Sequence, residues 1–161
     1  MHIPPVFVYP EAVLFWTALI GSFYLEIKFA GTLARNPSNT QDAGTRLLIK
    51  IGYRVAFVLA LMASLTPWFV ITWQRPALAV GTGMLIAGSM FRQYSIRTLG
   101  KYFTPEVVVK ADQPVIEEGP YRWIRHPAYS GAFIMFAGIG MALGNWLSFA
   151  VLFLENCFVY S

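Results

Sequence analysis

The sequence predicts an all-α integral membrane protein of about five transmembrane helices, with a cytoplasmic connection that contains a short hairpin-like flap. Three observations carry that prediction. Hydrophobic residues make up 57% of the 161 residues and charged residues 12%, with a mean hydropathy of +0.54, which leaves too little polar surface to cover a soluble globule. The apolar residues gather in helix-length runs separated by short polar turns. The positive residues, in turn, fall almost entirely on one side of those runs.

Taken in order, the chain opens on Ile3-Pro4-Pro5, an extended start whose prolines discourage helix and which leaves His2 in an unstructured-looking context. The first span covers Ala12 to Phe29. It has no basic n-region followed by a small-residue cleavage site, so it is expected to be retained as an anchor. Glu26 and Lys28 belong at its interfacial end, where long side chains reach water. Arg35 to Gly44 is a polar, turn-rich loop.

A second span runs from Leu47 to Trp68, with Lys50 and Arg54 one helical turn apart. Those two either face an anionic head group from inside the protein or snorkel to the surface. Thr66-Pro67-Trp68 and Gln74-Arg75-Pro76 bracket the next turn. The third span, Ala77 to Met90, contains Gly81, Gly83, Ala87 and Gly88. No strand precedes these residues, so they are not a nucleotide loop, and small residues on a membrane helix predict close helix packing. Gly138, Gly140 and Gly144 receive the same reading.

The connection from Phe91 to Arg125 is too long for a turn between spans. Its first part, Arg92 to Arg97, extends the third helix out of the bilayer. Val107-Val108-Val109 and Pro114-Val115-Ile116 read as two short extended pieces around Lys110 to Gln113, the flap. The fourth span covers Ala128 to Leu143, a turn follows at Gly144-Asn145, and a fifth begins at Trp146. Glu155 lies about ten residues into this last run, an expensive depth for a carboxylate. The whole reads as one domain, 1–161.

Basic residues orient the bundle. With the N-terminus outside, Lys28, Arg35, Arg46, Lys50, Arg54, Arg92, Arg97, Lys101, Lys110, Arg122 and Arg125 fall on the cytoplasmic side and Arg75 alone falls outside. The net charge of +4 and pI near 9.4 therefore follow topology, and no dense basic patch points to nucleic acid. Cys157 is the single cysteine, so no intrachain disulfide forms, and it reads as a packing residue. His2 and His126 lie in unrelated contexts with no accompanying ligand cluster, so no metal site is expected.

The chemistry concentrates in Gly119-Pro120-Tyr121-Arg122-Trp123-Ile124-Arg125-His126-Pro127-Ala128-Tyr129-Ser130-Gly131. Pro127 lacks an N–H and has a φ suited to a first helical turn, so a helix starts there with Arg125 and His126 at its rim. Such an N-terminus suits the carboxylate or phosphate of a cofactor, and Tyr121, Trp123 and Tyr129 add ring faces for a cation or a flat base. The same residues also fit an interfacial aromatic belt, and the residues alone leave both readings open.

Gly119-Pro120-Tyr121-Arg122, Arg125 to Gly131 and the upstream Leu99-Gly100-Lys101-Tyr102-Phe103-Thr104 resemble the paired signature of the isoprenylcysteine carboxyl methyltransferase and phospholipid methyltransferase family, over about residues 92 to 146. The resemblance implies a cytoplasm-facing site for S-adenosylmethionine, lined by Gln113, Pro114, Val115, Ile116, Tyr121, His126, Pro127, Ala128 and Tyr129. It leaves the catalytic residues unassigned. It also implies a lipophilic acceptor, either a prenylcysteine carboxylate or a lipid amine, presented among membrane lipids. Relatives often carry His at the Gln113 position. The family's downstream segment of paired glutamates, an arginine and tyrosines has no counterpart before Ser161, so the domain is expected to be C-terminally incomplete relative to the family, either a truncated chain or a divergent form. A sterol-reductase-like oxidoreductase using NADPH, or a non-catalytic membrane protein, is the alternative expectation.

Overall fold

The structure, a computed structural model, describes residues 2–33, 43–100 and 118–159. Among these the helices are α1 (Pro5–Val8), α2 (Ala12–Leu33), α3 (Ala43–Ser64), α4 (Gln74–Leu99), α5 (Pro127–Ala142) and α6 (Trp146–Val159), with a 3-10 turn at Gly119–Arg122. No strand occurs among the described residues, only an isolated bridge between Val70 and Asn145. The expected all-α class is present among the described residues, and α2 to α6 stand where the five membrane spans were expected. Gln113, Pro114, Val115, Ile116 and the expected flap lie outside the described residues, as do Arg35, Lys101, Lys110 and the side chains of Arg46 and Lys50.

No described helix is long and apolar enough to cross a membrane. Length is one reason: α5 and α6 have 16 and 14 residues, and at 1.5 Å per residue a helix of that size reaches only about 21–24 Å. α4 is longer, 26 residues, because its C-terminal third is the polar Arg92 to Arg97 stretch expected to continue the third helix.

α2 to α6 alternate in direction, and α4 and α5 pack most closely. A Cβ on Gly81 would stand 2.5 Å from Ala142 N and Gly138 O, and one on Gly138 would stand 2.6 Å from Leu85 N. A Cβ on Gly131 would stand 2.7 Å from the backbone N of Arg92. Gly81 and Gly88 therefore do what small residues on a packed helix do. Gly83 and Ala87 do not. Gly83 has nothing near its missing side chain and both are exposed, because they lie on the opposite face of α4 from the α5 contact. Gly140 packs on Phe149 of α6, while Gly144 is a turn residue with φ +72°, closed over by Pro5.

Between the helices lies an apolar core of Phe15, Leu19, Ala60, Leu85, Phe136, Ile139 and Leu152. At one end the turns are knotted together. Ile71 N donates to Gly144 O at 2.9 Å and Trp146 N to Phe69 O at 2.9 Å. Asn145 donates from Nδ2 to Trp68 O at 2.8 Å and accepts from Leu147 N at 2.8 Å, which caps α6.

Two expectations for the N-terminus are corrected here. Pro5 does not exclude helix but begins one, because a proline at the first helical position gives up no hydrogen bond. His2 is held at the knotted end, with Nδ1 3.2 Å from Ser64 O and Nε2 2.6 Å from Gln74 Nε2. This arrangement is satisfied when Nδ1 carries the proton and Nε2 accepts. Glu155, half-buried in α6, has its carboxylate against Gly52 of α3, where a Cβ would come within 2.5 Å of Oε1.

Candidate functional site

The site is built where α4 ends and α5 begins. Pro127 opens α5 as expected, and His126 occupies the N-cap position with φ −130°. The cap is made by its backbone. His126 O accepts from Tyr129 N and Ser130 N, both at 3.1 Å, and from Ser130 Oγ at 3.3 Å. Pro127 has no N–H, so this first turn offers an incoming anion fewer donors than a typical helix N-terminus. The imidazole of His126 stacks on the Tyr129 ring, centroids 5.5 Å apart and planes within 15° of parallel.

From this pair an open groove of about 420 Å³ runs along α5 over Ser130, Phe133 and Ile134. Phe133 in turn meets Phe153 of α6 edge-on, centroids 4.6 Å apart. The groove is shallow and open, lined mainly by apolar side chains with a few polar groups at one end. Ser130, Phe133 and Ile134 were not among the expected site residues. Their signal was the helical spacing of four, seven and eight residues from His126.

Beneath the rim lies a polar cluster that the sequence reading missed. Arg92 of α4 pairs with Glu26 of α2 through two parallel bonds, Nε to Oε2 at 2.9 Å and Nη2 to Oε1 at 2.6 Å. Its third nitrogen, Nη1, donates to Ala128 O in the first turn of α5 at 2.9 Å. Glu26 is thus engaged by a specific partner while its side chain stays 30% exposed, and the side chain of Arg92 is only 14% exposed. Tyr121, in the 3-10 turn, is half-buried and its phenol is pushed up to about 12. Burial is the main cause, the Arg92 charge opposes it and Tyr129 adds to it.

Of the expected site residues, Tyr121, His126, Pro127, Ala128 and Tyr129 fall in this region, with Pro127 and Ala128 buried as the floor of the turn. His126 and Arg125 are exposed, and Arg122 lies over the Trp123 ring at 5.4 Å. No group of histidine, cysteine and carboxylate side chains able to hold a metal occurs among the described residues.

Comparison with known proteins sets this geometry in a family. The model of the isoprenylcysteine carboxyl methyltransferase family matches residues 80–161, which include Arg92, the 3-10 turn and all of α5. A probable protein-S-isoprenylcysteine O-methyltransferase of Oryza sativa subsp. indica is 33% identical over 116 residues, 65% of this chain and 57% of that protein. Protein-S-isoprenylcysteine O-methyltransferase A of Arabidopsis thaliana is 32% identical over 107 residues, 63% of this chain and 54% of that protein. A protein-S-isoprenylcysteine O-methyltransferase of Schizosaccharomyces pombe is 35% identical over 68 residues, 41% and 29% respectively. The chain spans about half the length of the Oryza and Arabidopsis relatives it matches. No solved structure matches it. From its signature residues and the family match across its second half, the chain belongs to the isoprenylcysteine carboxyl methyltransferase family.

Proposed function

We propose that this chain is a membrane-embedded methyltransferase, a single domain that moves a methyl group from S-adenosylmethionine to the carboxylate of a lipophilic, prenylcysteine-type acceptor. The observation that carries the proposal is the stacked His126–Tyr129 pair at the head of the α5 groove, inside the residues matched to the family. The cofactor site is assigned to Gln113, Pro114, Val115, Ile116, Tyr121, His126, Pro127, Ala128 and Tyr129.

S-adenosylmethionine supplies an electrophilic methyl on a sulfonium cation, and the residues present suit it. The phenol ring of Tyr129 attracts a cation, and the groove has room for a nucleoside-sized group. Tyr121 keeps its proton at neutral pH, so it can serve as a hydrogen-bond donor there. The hydroxyl of Ser130 is turned to His126 O. A carboxylate acceptor is ionised at neutral pH and already nucleophilic, so transfer needs no general base. The protein's part is alignment and exclusion of water.

The membrane setting is supported by side chains that a soluble protein would bury. Ile27 is 74% exposed on α2 and Met62 62% on α3, while Trp68 at one end of the bundle and Trp123 at the other are 73% and 81% exposed, as in paired interfacial belts. Helices shorter than the bilayer core are accommodated by local thinning. The N-terminus then lies outside and the His126 rim in the cytoplasm. Labelling of Asp112→Cys from the cytoplasmic side alone supports that orientation, and labelling from outside reverses it.

Calorimetry of the full chain in lipid nanodiscs against S-adenosylhomocysteine and NADPH tests the function, together with transfer of labelled methyl to an S-farnesylated cysteine analogue. The expected result is binding of the homocysteine compound and a base-labile methyl ester. Binding of NADPH alone, with no ester, overturns the proposal in favour of an oxidoreductase.

A further inference from the structure

We infer that Arg92 is a positioning residue for the cofactor rim. It sets the place of the His126–Tyr129 pair by holding the Ala128 carbonyl, while Glu26 fixes the guanidinium from a third helix. The inference rests on the methyltransferase reading for its function but not for its geometry.

The guanidinium is a rigid planar fork with donors in fixed directions. Two of its directions are committed to both oxygens of Glu26, and this bidentate pair leaves the side chain little rotational freedom. The remaining direction, through Nη1, is thereby aimed at Ala128 O. Ala128 lies between His126 and Tyr129, so a displacement of its carbonyl turns the first turn of α5 and separates the two rings. The backbone contact reinforces this: Gly131, one turn further along α5, rests directly on the main chain of Arg92. Three helices thus meet at one side chain, and the part of α5 they fix carries the stacked pair.

A brace that only held helices together would need the ion pair and not the third hydrogen bond. That difference is measurable, because the chain has two histidines, His2 and His126, at opposite ends of the bundle. In isotope-labelled histidine spectra of the ligand-free full chain in nanodiscs, the His126 ring signal carries the ring-current shift of Tyr129, and His2 serves as the internal reference. Arg92→Lys keeps a positive partner for Glu26 but loses the fork. It is expected to move the His126 signal, leave that of His2 in place, and weaken S-adenosylhomocysteine binding about tenfold or more while leaving the KM for the acceptor unchanged. Arg92→Gln gives the same pattern with a larger loss of thermal stability. The exchange of Glu26→Arg with Arg92→Glu restores the ion pair and recovers stability, yet recovers neither the His126 signal nor the affinity.

An unmoved His126 signal in Arg92→Lys overturns the inference, as does full recovery of the signal by the exchange. Failure of the wild-type chain to bind S-adenosylhomocysteine overturns the methyltransferase reading instead, since the two histidine signals report the positioning without ligand.

Discussion

Gly88 of α4 and Gly131 of α5 face each other so closely that a Cβ on Gly88 would stand 2.7 Å from Gly131 O and collide with Met135 N. The antiparallel pair α4–α5 is therefore packed backbone to backbone over its length, from Gly81 at the knotted end to Arg92 at the site.

Gly88→Ala forces the two main chains apart and is expected to destabilise the fold by about 1–3 kcal/mol, the usual range for overpacking. Gly83→Ala meets open space on the same helix and is expected to stabilise by about 0.5–1 kcal/mol through helix propensity. Denaturant titration of the two variants side by side measures the difference, and equal effects would show that α4 does not present the two glycines to different surroundings.

His126→Ala removes one ring of the stacked pair. The imidazole is exposed in the ligand-free chain; if bound S-adenosylhomocysteine buries it in a hydrogen bond, binding should weaken by roughly 1–3 kcal/mol, and if it stays solvent-facing the change costs almost nothing. His2→Ala at the far end should lower stability through loss of its contacts to Ser64 and Gln74 while leaving affinity unchanged. Calorimetry with both variants reads the two effects separately.

Tyr121 gives the protein an alkaline limit. Its phenol titrates near 10 in the unfolded chain and at about 12 in the fold, so the unfolded state releases its proton first. The stability this provides is fully present below pH 10 and is lost as pH rises to about 12. Tyr121→Phe should flatten that part of the stability profile, and an ultraviolet titration of phenolate should show one late-ionising tyrosine fewer in Tyr121→Phe than in the wild type.

Asn145 is fully buried and serves two turns at once. Asn145→Ala strips the cap from α6 and leaves Trp68 O without its donor, a loss of about 1–3 kcal/mol. Asn145→Ser keeps a neutral side-chain oxygen able to cap α6 and loses the bond to Trp68 O, so its thermal midpoint should fall between those of the wild type and the alanine variant.

Local signals were legible in the sequence. Pro127 marked the start of α5 because its missing N–H and fixed φ are properties of one residue. Gly81, Gly88 and Gly138 marked packed faces because small side chains on an apolar helix have one common use. What depended on partners far apart in the chain was not legible. Glu26 and Arg92 are 66 residues apart, and each alone reads as an interfacial charge. Gly83 resembles Gly81 in composition and differs only in which way the helix turns it. His2 looked idle because its partners, Ser64 and Gln74, are supplied by the folded turn and not by its neighbours. The short helix at Pro5 was hidden by a residue that breaks helices everywhere except at their first turn.

The knot between the α3–α4 and α5–α6 turns lies at the opposite end of the bundle from the His126 rim. Ile71, Trp146 and Asn145 bond across it, and Gly144 is locked under Pro5. Mechanically the bundle is a pair of tongs riveted at the tail. Any angular play between α6 and α4 is therefore smallest at the rivet and greatest at the His126 rim.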